Sequence, residues 1–373
     1  MFRMTTIINI DKLFFELICV SIGTQKSLSR IPKEREWANL YKMAEKQSLL
    51  GVCFAGLKNL GADADDGFTR IGMSKMQYLN WMGMAFQIQQ RNEEVDRQCV
   101  ELQATLSADG LVSAILKGQG VARLYDGQLR PLRQSGDIDV WVKGGFEAVN
   151  DFVQRTAPSR DLAYHRFHYS IFKDTEVELH FRPTLMRNLL DNMKLQRWCD
   201  SFDASSFVKA SGLDITVPPA EFNAVFILTH IYRHFLFEGV GLRQVMDYYY
   251  VLKSVPAELR VKVMDVLDGF HMGKFAAAMM WVMGHVFGLG EEYMICQPEE
   301  KEGRFLLEEI MQMGNFGKED KRYKGNKKMK RFARHWFHLL VHYPSEVVWS
   351  PIWIVYHWFW KRSKLRLIDS KQG

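Results

Sequence analysis

The sequence predicts an α+β protein: a small mixed sheet set between an N-terminal and a C-terminal helical region. Three observations carry that reading. Residues 1–110 repeat apolar positions at helical spacing, residues 111–183 switch to short runs of period two, and the helical period returns from about residue 190. The expected division is a helical region at 1–110, a core at 111–185 and a helical domain at 186–373.

In the first part, "LFFELICVSIG" carries Glu16 and reads as an amphipathic helix rather than a signal peptide. "EWANLYKMAEKQSLLGVCFAGLKNL" is helical and ends at Gly61, and "ADADDGF" is a loop. Its Asp63, Asp65 and Asp66 lack the glycine and distal glutamate of a calcium loop and read as a solvated turn. "SKMQYLNWMGMAFQIQQRNEEVDRQCVELQATLSADG" is one long helix closed by Gly110.

In the middle, "LVSAILK" is a short apolar strand, followed by a glycine-containing turn and a brief helix in "VARLYD". "DIDVWVK" alternates as a strand, "FEAVNDFVQRTA" is a helix, and "YHRFHYSIFK" and "EVELHFRP" pair across a turn at Asp174. Beyond it, "PPAEFNAVFILTHIYRHFLFEG", "LRQVMDYYYVLKS" and "KFAAAMMWVMGHVFG" are helices.

Composition narrows the class. Hydrophobic residues at 47% and charged residues at 25% exclude general disorder. The net charge of +6 gathers in "KEDKRYKGNKKMKR" and "KRSKLR", short of the footprint of a dedicated nucleic-acid binder. These runs read as solvated loops, or as contacts for polyphosphate, nucleic acid or lipid. Five scattered cysteines have no metal or redox spacing, which places the chain in a reducing compartment, the cytoplasm. "VVWSPIWIVYHWFW" is interrupted by Pro351 and falls short of the roughly 20 residues a membrane span needs. It reads as a packed helix, with interfacial membrane contact as the alternative.

The chemistry concentrates in "GDIDVWV". Residues i and i+2 of a strand share a face, so Asp137 and Asp139 lie opposite Ile138, Val140 and Val142. In "EVELHF" the same rule groups Glu176, Glu178 and His180 against Val177, Leu179 and Phe181. Two adjacent carboxylates repel unless a cation joins them. If the strands are neighbours, Glu178 supplies a third carboxylate, and three hard oxygens suit Mg²⁺. Upstream, Lys117, Gly118 and Gly120 form a turn whose backbone can approach a phosphate. His180 is placed to orient a carboxylate or touch a substrate, or reads equally as a satisfied polar histidine. His230 and His234, four apart, have Zn²⁺ spacing but no acid or cysteine to complete a site, so they read as helix-packing or surface histidines. Arg243 and Asp247, also four apart, read as a helix-surface pair or as cleft lining.

The run "KGQGVARLYDGQLRPLRQSGDIDVWV" with the later "VELHF" resembles the nucleotidyltransferases of the DNA polymerase beta superfamily. It most resembles an uncharacterised bacterial branch with a "KG…LY…R…GDID" segment, a later "ELH" and a "GLRQ..D" helix. Here these are Lys117-Gly118, Leu124-Tyr125, Arg133, Gly136 to Asp139, Glu178 to His180, and Gly241 to Gln244 with Asp247. Where the superfamily has serine after glycine, this chain has Gln119. The resemblance implies a polymerase-beta-like core binding two Mg²⁺ ions, or Mn²⁺, through Asp137, Asp139 and Glu178, with Glu178 also the candidate general base. It implies nucleotide contacts, ATP among the candidates, from Lys117, Gly118, Gln119, Arg133, Gly136 and His180. The expected activity is transfer of a nucleotidyl group from a nucleoside triphosphate to a small-molecule, protein or RNA hydroxyl. The alternatives are a metal-dependent glycosyltransferase and a catalytically silent nucleotide- or partner-binding member of the fold.

Overall fold

A computed structural model describes residues 2–314 and 337–372; the basic run "KEDKRYKGNKKMKR" lies outside the described residues. The N-terminal helices are α1 (Phe2–Ile22), α2 (Glu34–Lys46), α3 (Leu50–Asn59), α4 (Gly67–Arg70) and α5 (Lys75–Ala108). The core follows as β1 (Ser113–Leu116), α6 (Gly118–Ala122), β2 (Ile138–Val142), α7 (Gly145–Thr156), β3 (Arg166–His168) and β4 (Val177–His180). After α8 (Leu189–Asp200) and a two-residue hairpin pair, β5 (Val208–Lys209) and β6 (Thr216–Val217), the chain is helical again. It forms α9 (Ala220–Phe237), α10 (Leu242–Ser254), α11 (Ala257–Gly269), α12 (Gly273–Phe287) and α13 (Glu300–Met313). A C-terminal helix, Pro344–Gln372, runs through Pro351 rather than breaking there.

The four main strands run in the order β1-β2-β4-β3, with β2 and β4 parallel and both outer pairs antiparallel. One face carries Ile115, Ile138, Val140, Val142, Val177 and Leu179, all buried against Val95, Cys99, Leu102 and Leu106 of α5 and Val149, Phe152 and Val153 of α7. The opposite face carries Trp141, which stacks on Phe222 of α9 at 5.0 Å. The period-two reading of both strands therefore holds, and α9 covers the face that bears the carboxylates.

The two helical regions share a core. Leu13, Phe14 and Leu17 of α1 lie in the same buried cluster as Met279, Met283 and Val286 of α12. The expected single helix ending at Gly61 is two, α2 and α3, because Ser48 adopts φ +55 between them. That left-handed turn directs the buried Gln47, whose Oε1 accepts from Leu242 N at 2.8 Å, so a helix break in the N-terminal region docks α10.

Helix α5 is the strut that holds the turn before β2. Its N-cap Ser74 accepts from Gln77 N, and Gln77 returns a bond to Ser74 N, which fixes the start of a 34-residue helix. Further along, Asn92 Nδ2 donates to Pro131 O and Arg133 O, both at 2.7 Å. Asp96 binds Arg123 of the segment after α6 at 2.6 and 2.8 Å.

Candidate active site

The parallel pairing of β2 and β4 puts Asp139 opposite Glu178 and Trp141 opposite His180. Alternation along each strand then turns Asp139, Glu178 and His180 to the same face. His180 Nε2 donates to Asp139 Oδ1 at 2.8 Å and lies 3.3 Å from Glu178 Oε2. Each of the three residues offers a ligand atom within 4.8 Å of the other two, and no other such triad occurs among the described residues. An ion can draw together donors at that separation through small side-chain shifts. Two carboxylate oxygens suit Mg²⁺ or Mn²⁺, and an imidazole nitrogen suits softer divalent ions, so the donor chemistry fits a divalent cation.

Asp137 stands just before β2 and belongs to the same edge without joining that triad. Its carboxylate and that of Asp139 share one cation, the ammonium of Lys117, at 3.4 and 2.6 Å. Lys117 reaches there from a constrained turn: it adopts φ +37, ψ −146, and Gly118 follows at φ +44. A side chain in that backbone region costs on the order of 1–3 kcal/mol, which the buried ion pair offsets. The charges of Asp139, Asp137 and Glu178 raise the Lys117 pKa although burial alone would lower it.

The remaining charges lock the site in its ionised form. Arg166 of β3 approaches Glu178 Oε2 at 2.9 Å. Burial favours a neutral Glu178, but its hydrogen bond to His180 and the charges of His180, Lys117 and Arg166 outweigh it, and the pKa falls to about 2. Burial likewise opposes protonated His180, and the bonds to Asp139 and Glu178 overcome it, so its pKa is raised. His165 packs edge-on to His180 with ring centroids 5.1 Å apart. His230 of α9 lies within the electrostatic reach of Lys117 and His180, and burial chiefly keeps both His165 and His230 neutral.

The sequence expectations divide here. Lys117, Asp137, Asp139, Glu178 and His180 come together. Gly118 and Gly136 flank them at an open edge: a Cβ at Gly136 would meet nothing within 4 Å. Gln119 turns away, its buried amide held by Asp96 and by Asn92 O. Arg133 is also committed elsewhere. Its guanidinium is 2% exposed and makes a two-pronged pair with Asp247 at 2.7 Å on each oxygen, and Tyr125 Oη donates to the same carboxylate at 2.7 Å. Asp247 is therefore not the helix-surface partner of Arg243, which donates instead to Gln134 O at 3.1 Å. His234 is taken by Arg233 and Glu238, in keeping with a packing role. Sequence reasoning missed Arg166 and His165. The available signal was "HRFH" on the strand paired with "ELH", which sets Arg166 against His180 and His168 against Glu178.

Fold and site together define an α+β protein with a buried acidic cluster suited to a divalent cation. The chain belongs to a family described as "uncharacterised nucleotidyltransferase", whose sequence model matches residues 33–288. None of the curated proteins compared matches it. Among solved structures it is similar to an antigenic nucleotidyltransferase-like protein from Paracoccidioides brasiliensis, at 12% identity and a TM-score of 0.34, over 57% of this chain and 97% of that one.

Proposed function

We propose that this protein transfers a nucleotidyl group from a nucleoside triphosphate to a hydroxyl-bearing acceptor, with Asp139 and Glu178 as its principal metal-holding carboxylates. The observation that carries the reading is their register: opposed on neighbouring parallel strands, on one face, joined by His180. In the reaction the acceptor oxygen bonds to the α-phosphorus, the bond from that phosphorus to the α–β bridging oxygen breaks, pyrophosphate leaves, and the hydroxyl proton passes to water. When bound, Mg²⁺ or Mn²⁺ supplies neutralisation of phosphate charge and acidifies the acceptor hydroxyl.

Each residue has a distinct part. Glu178 is held ionised beside His180, Lys117 and Arg166 and serves as a metal ligand. Asp137, outside the triad, is the ligand available to a second ion. His180 fixes the orientation of both carboxylates, as a hydrogen-bonding neighbour does around a ligand set. Lys117 is placed to pair with a phosphate once the carboxylates are otherwise neutralised. With Gln119 held by Asp96, phosphate contact at this turn falls to Lys117 and to the backbone at Gly118.

The test is pyrophosphate release from each of the four common nucleoside triphosphates with Mg²⁺ or Mn²⁺, offered a panel of sugar, protein and RNA hydroxyls. Metal-dependent release by wild type that Asp139→Asn abolishes supports the reading. Release that survives Asp139→Asn would refute the site, and binding without release would assign the chain to a silent nucleotide-binding role.

A further inference from the structure

The C-terminal helix, Pro344–Gln372, has one side fixed to the body and, among the described residues, one side uncovered. Its inner side is anchored along its length. Glu346 accepts from Arg187 N and Asn188 N at 2.8 and 3.0 Å, Trp353 and Trp360 pack on Tyr164 at 4.7 and 4.9 Å, Ile368 is buried, and Asp369 pairs with Arg160. These contacts settle which residues point outward. Val348, Ile352, Val355 and Phe359 recur at spacings of four, three and four, so they share one helix line, and each is about half exposed or more. Trp358 stands beside them, also half exposed, with the guanidinium of Arg362 4.4 Å from its ring.

The same line continues into Arg362 and Arg366, both exposed. From Val347 to Ile368 the helix has no Asp or Glu, but it has Lys361, Arg362, Lys364 and Arg366. Lys364 turns toward the body, over Phe146 at 4.2 Å, which leaves the other three for a partner. A second copy of this helix would bring Arg362 and Arg366 against cations, and the exposed carboxylate nearest them, Asp369, is already paired with Arg160. An apolar row with Trp and Phe at its end, bordered by basic residues, matches the boundary between acyl chains and anionic headgroups. No described helix is long and apolar enough to cross a membrane, so the helix would lie on the surface.

We propose that the outward face of the C-terminal helix docks the protein on an anionic phospholipid bilayer, with Val348, Ile352, Val355 and Phe359 entering the acyl boundary and Arg362 and Arg366 meeting the headgroups. The experiment is vesicle flotation of the full-length chain, comparing phosphatidylcholine alone with phosphatidylcholine containing about a third phosphatidylserine. The expected result is flotation with the anionic vesicles and not the neutral ones, weakened by salt. Arg362→Glu/Arg366→Glu and Ile352→Asp/Phe359→Asp should each reduce vesicle affinity about tenfold or more, at unchanged thermal unfolding. Val261→Asp, on an exposed apolar residue of α11, should leave it unchanged. Absence of flotation with anionic vesicles would overturn the proposal, as would equal flotation of wild type and the helix variants. A dimer seen by sedimentation velocity and dissolved by Ile352→Asp/Phe359→Asp would overturn it in favour of a second copy on this face. Capture of an acidic protein instead of vesicles would overturn it in favour of a protein partner.

Discussion

Lys117 Nζ lies 2.6 Å from Asp139 Oδ2 and 3.4 Å from Asp137 Oδ2, so the cation between the two aspartates comes from the chain itself. The ammonium and a divalent ion would compete for the same carboxylates. Under the proposed function, a bound ion would free that ammonium to pair with a phosphate.

The first prediction follows from that competition. Lys117→Met should cost about 3 kcal/mol of stability without metal, because it removes the cation from the buried Asp139 Oδ2 and leaves that carboxylate only its bond to His180. Saturating Mn²⁺ should restore most of that loss in the variant and add less to wild type, as urea unfolding with and without the ion would show. Lys117→Gly relieves the positive φ and should be milder than Lys117→Met.

Arg133 and Asp247 give a contrasting prediction. Both are buried, and they join the segment before β2 to α10. Arg133→Met should destabilise by about 3–5 kcal/mol. The nucleotide affinity of the fraction that remains folded should stay within about twofold of wild type, measured by calorimetry below the melting point. A large loss of affinity at intact stability would return Arg133 to the substrate.

Glu178 predicts a pH dependence with a defined sign. Its pKa drops from an ordinary 4.5 to about 2 on folding, so its contribution is complete above pH 4.5 and is lost as pH falls toward 2. Glu178→Gln should flatten the stability profile in that window and, by removing one of the two carboxylates that raise the His180 pKa, also lessen the loss of stability as pH rises above 6.5. Chemical unfolding across pH 2–6 measures the first effect, and its extension above neutral pH the second.

His165 and His230 are buried and neutral, with pKa values depressed well below 6.5. Their contribution is present above pH 6.5 and fades as pH falls below it, because unfolding releases imidazoles that take up protons. His230→Gln should remove part of the slope below pH 6.5, read by the same unfolding series extended above neutral pH.

Much of this arrangement was legible from local pattern. The faces of "DIDVWV" and "EVELHF" follow from period two, which is a backbone property, whereas the first helix of the core forms at Gly118–Ala122, in the expected turn, rather than along "VARLYD". What local pattern does not encode is which long-range partner claims a polar side chain. Arg133, Tyr125 and Asp247 stood out as motif elements, and they are partners of one another rather than of a ligand. Arg133 and Asp247 are 114 residues apart, and their pairing depends on how α10 docks. Gln119 shows the same limit, since its role is set by Asp96 on α5. The resemblance gives Lys117 to phosphate, and the reach of its ammonium to both aspartates depends on the positive-φ turn at residues 117 and 118, which local pattern does not encode.

The most direct test of the metal-dependent nucleotidyl-transfer reading is calorimetric titration of a nucleoside triphosphate into wild type, Asp139→Asn and Glu178→Gln, each with Mn²⁺, with Mg²⁺ and with EDTA. The account predicts binding by wild type only when a divalent ion is present, and at least a tenfold loss in both folded variants. Binding of equal strength in EDTA, or by both variants, would contradict it.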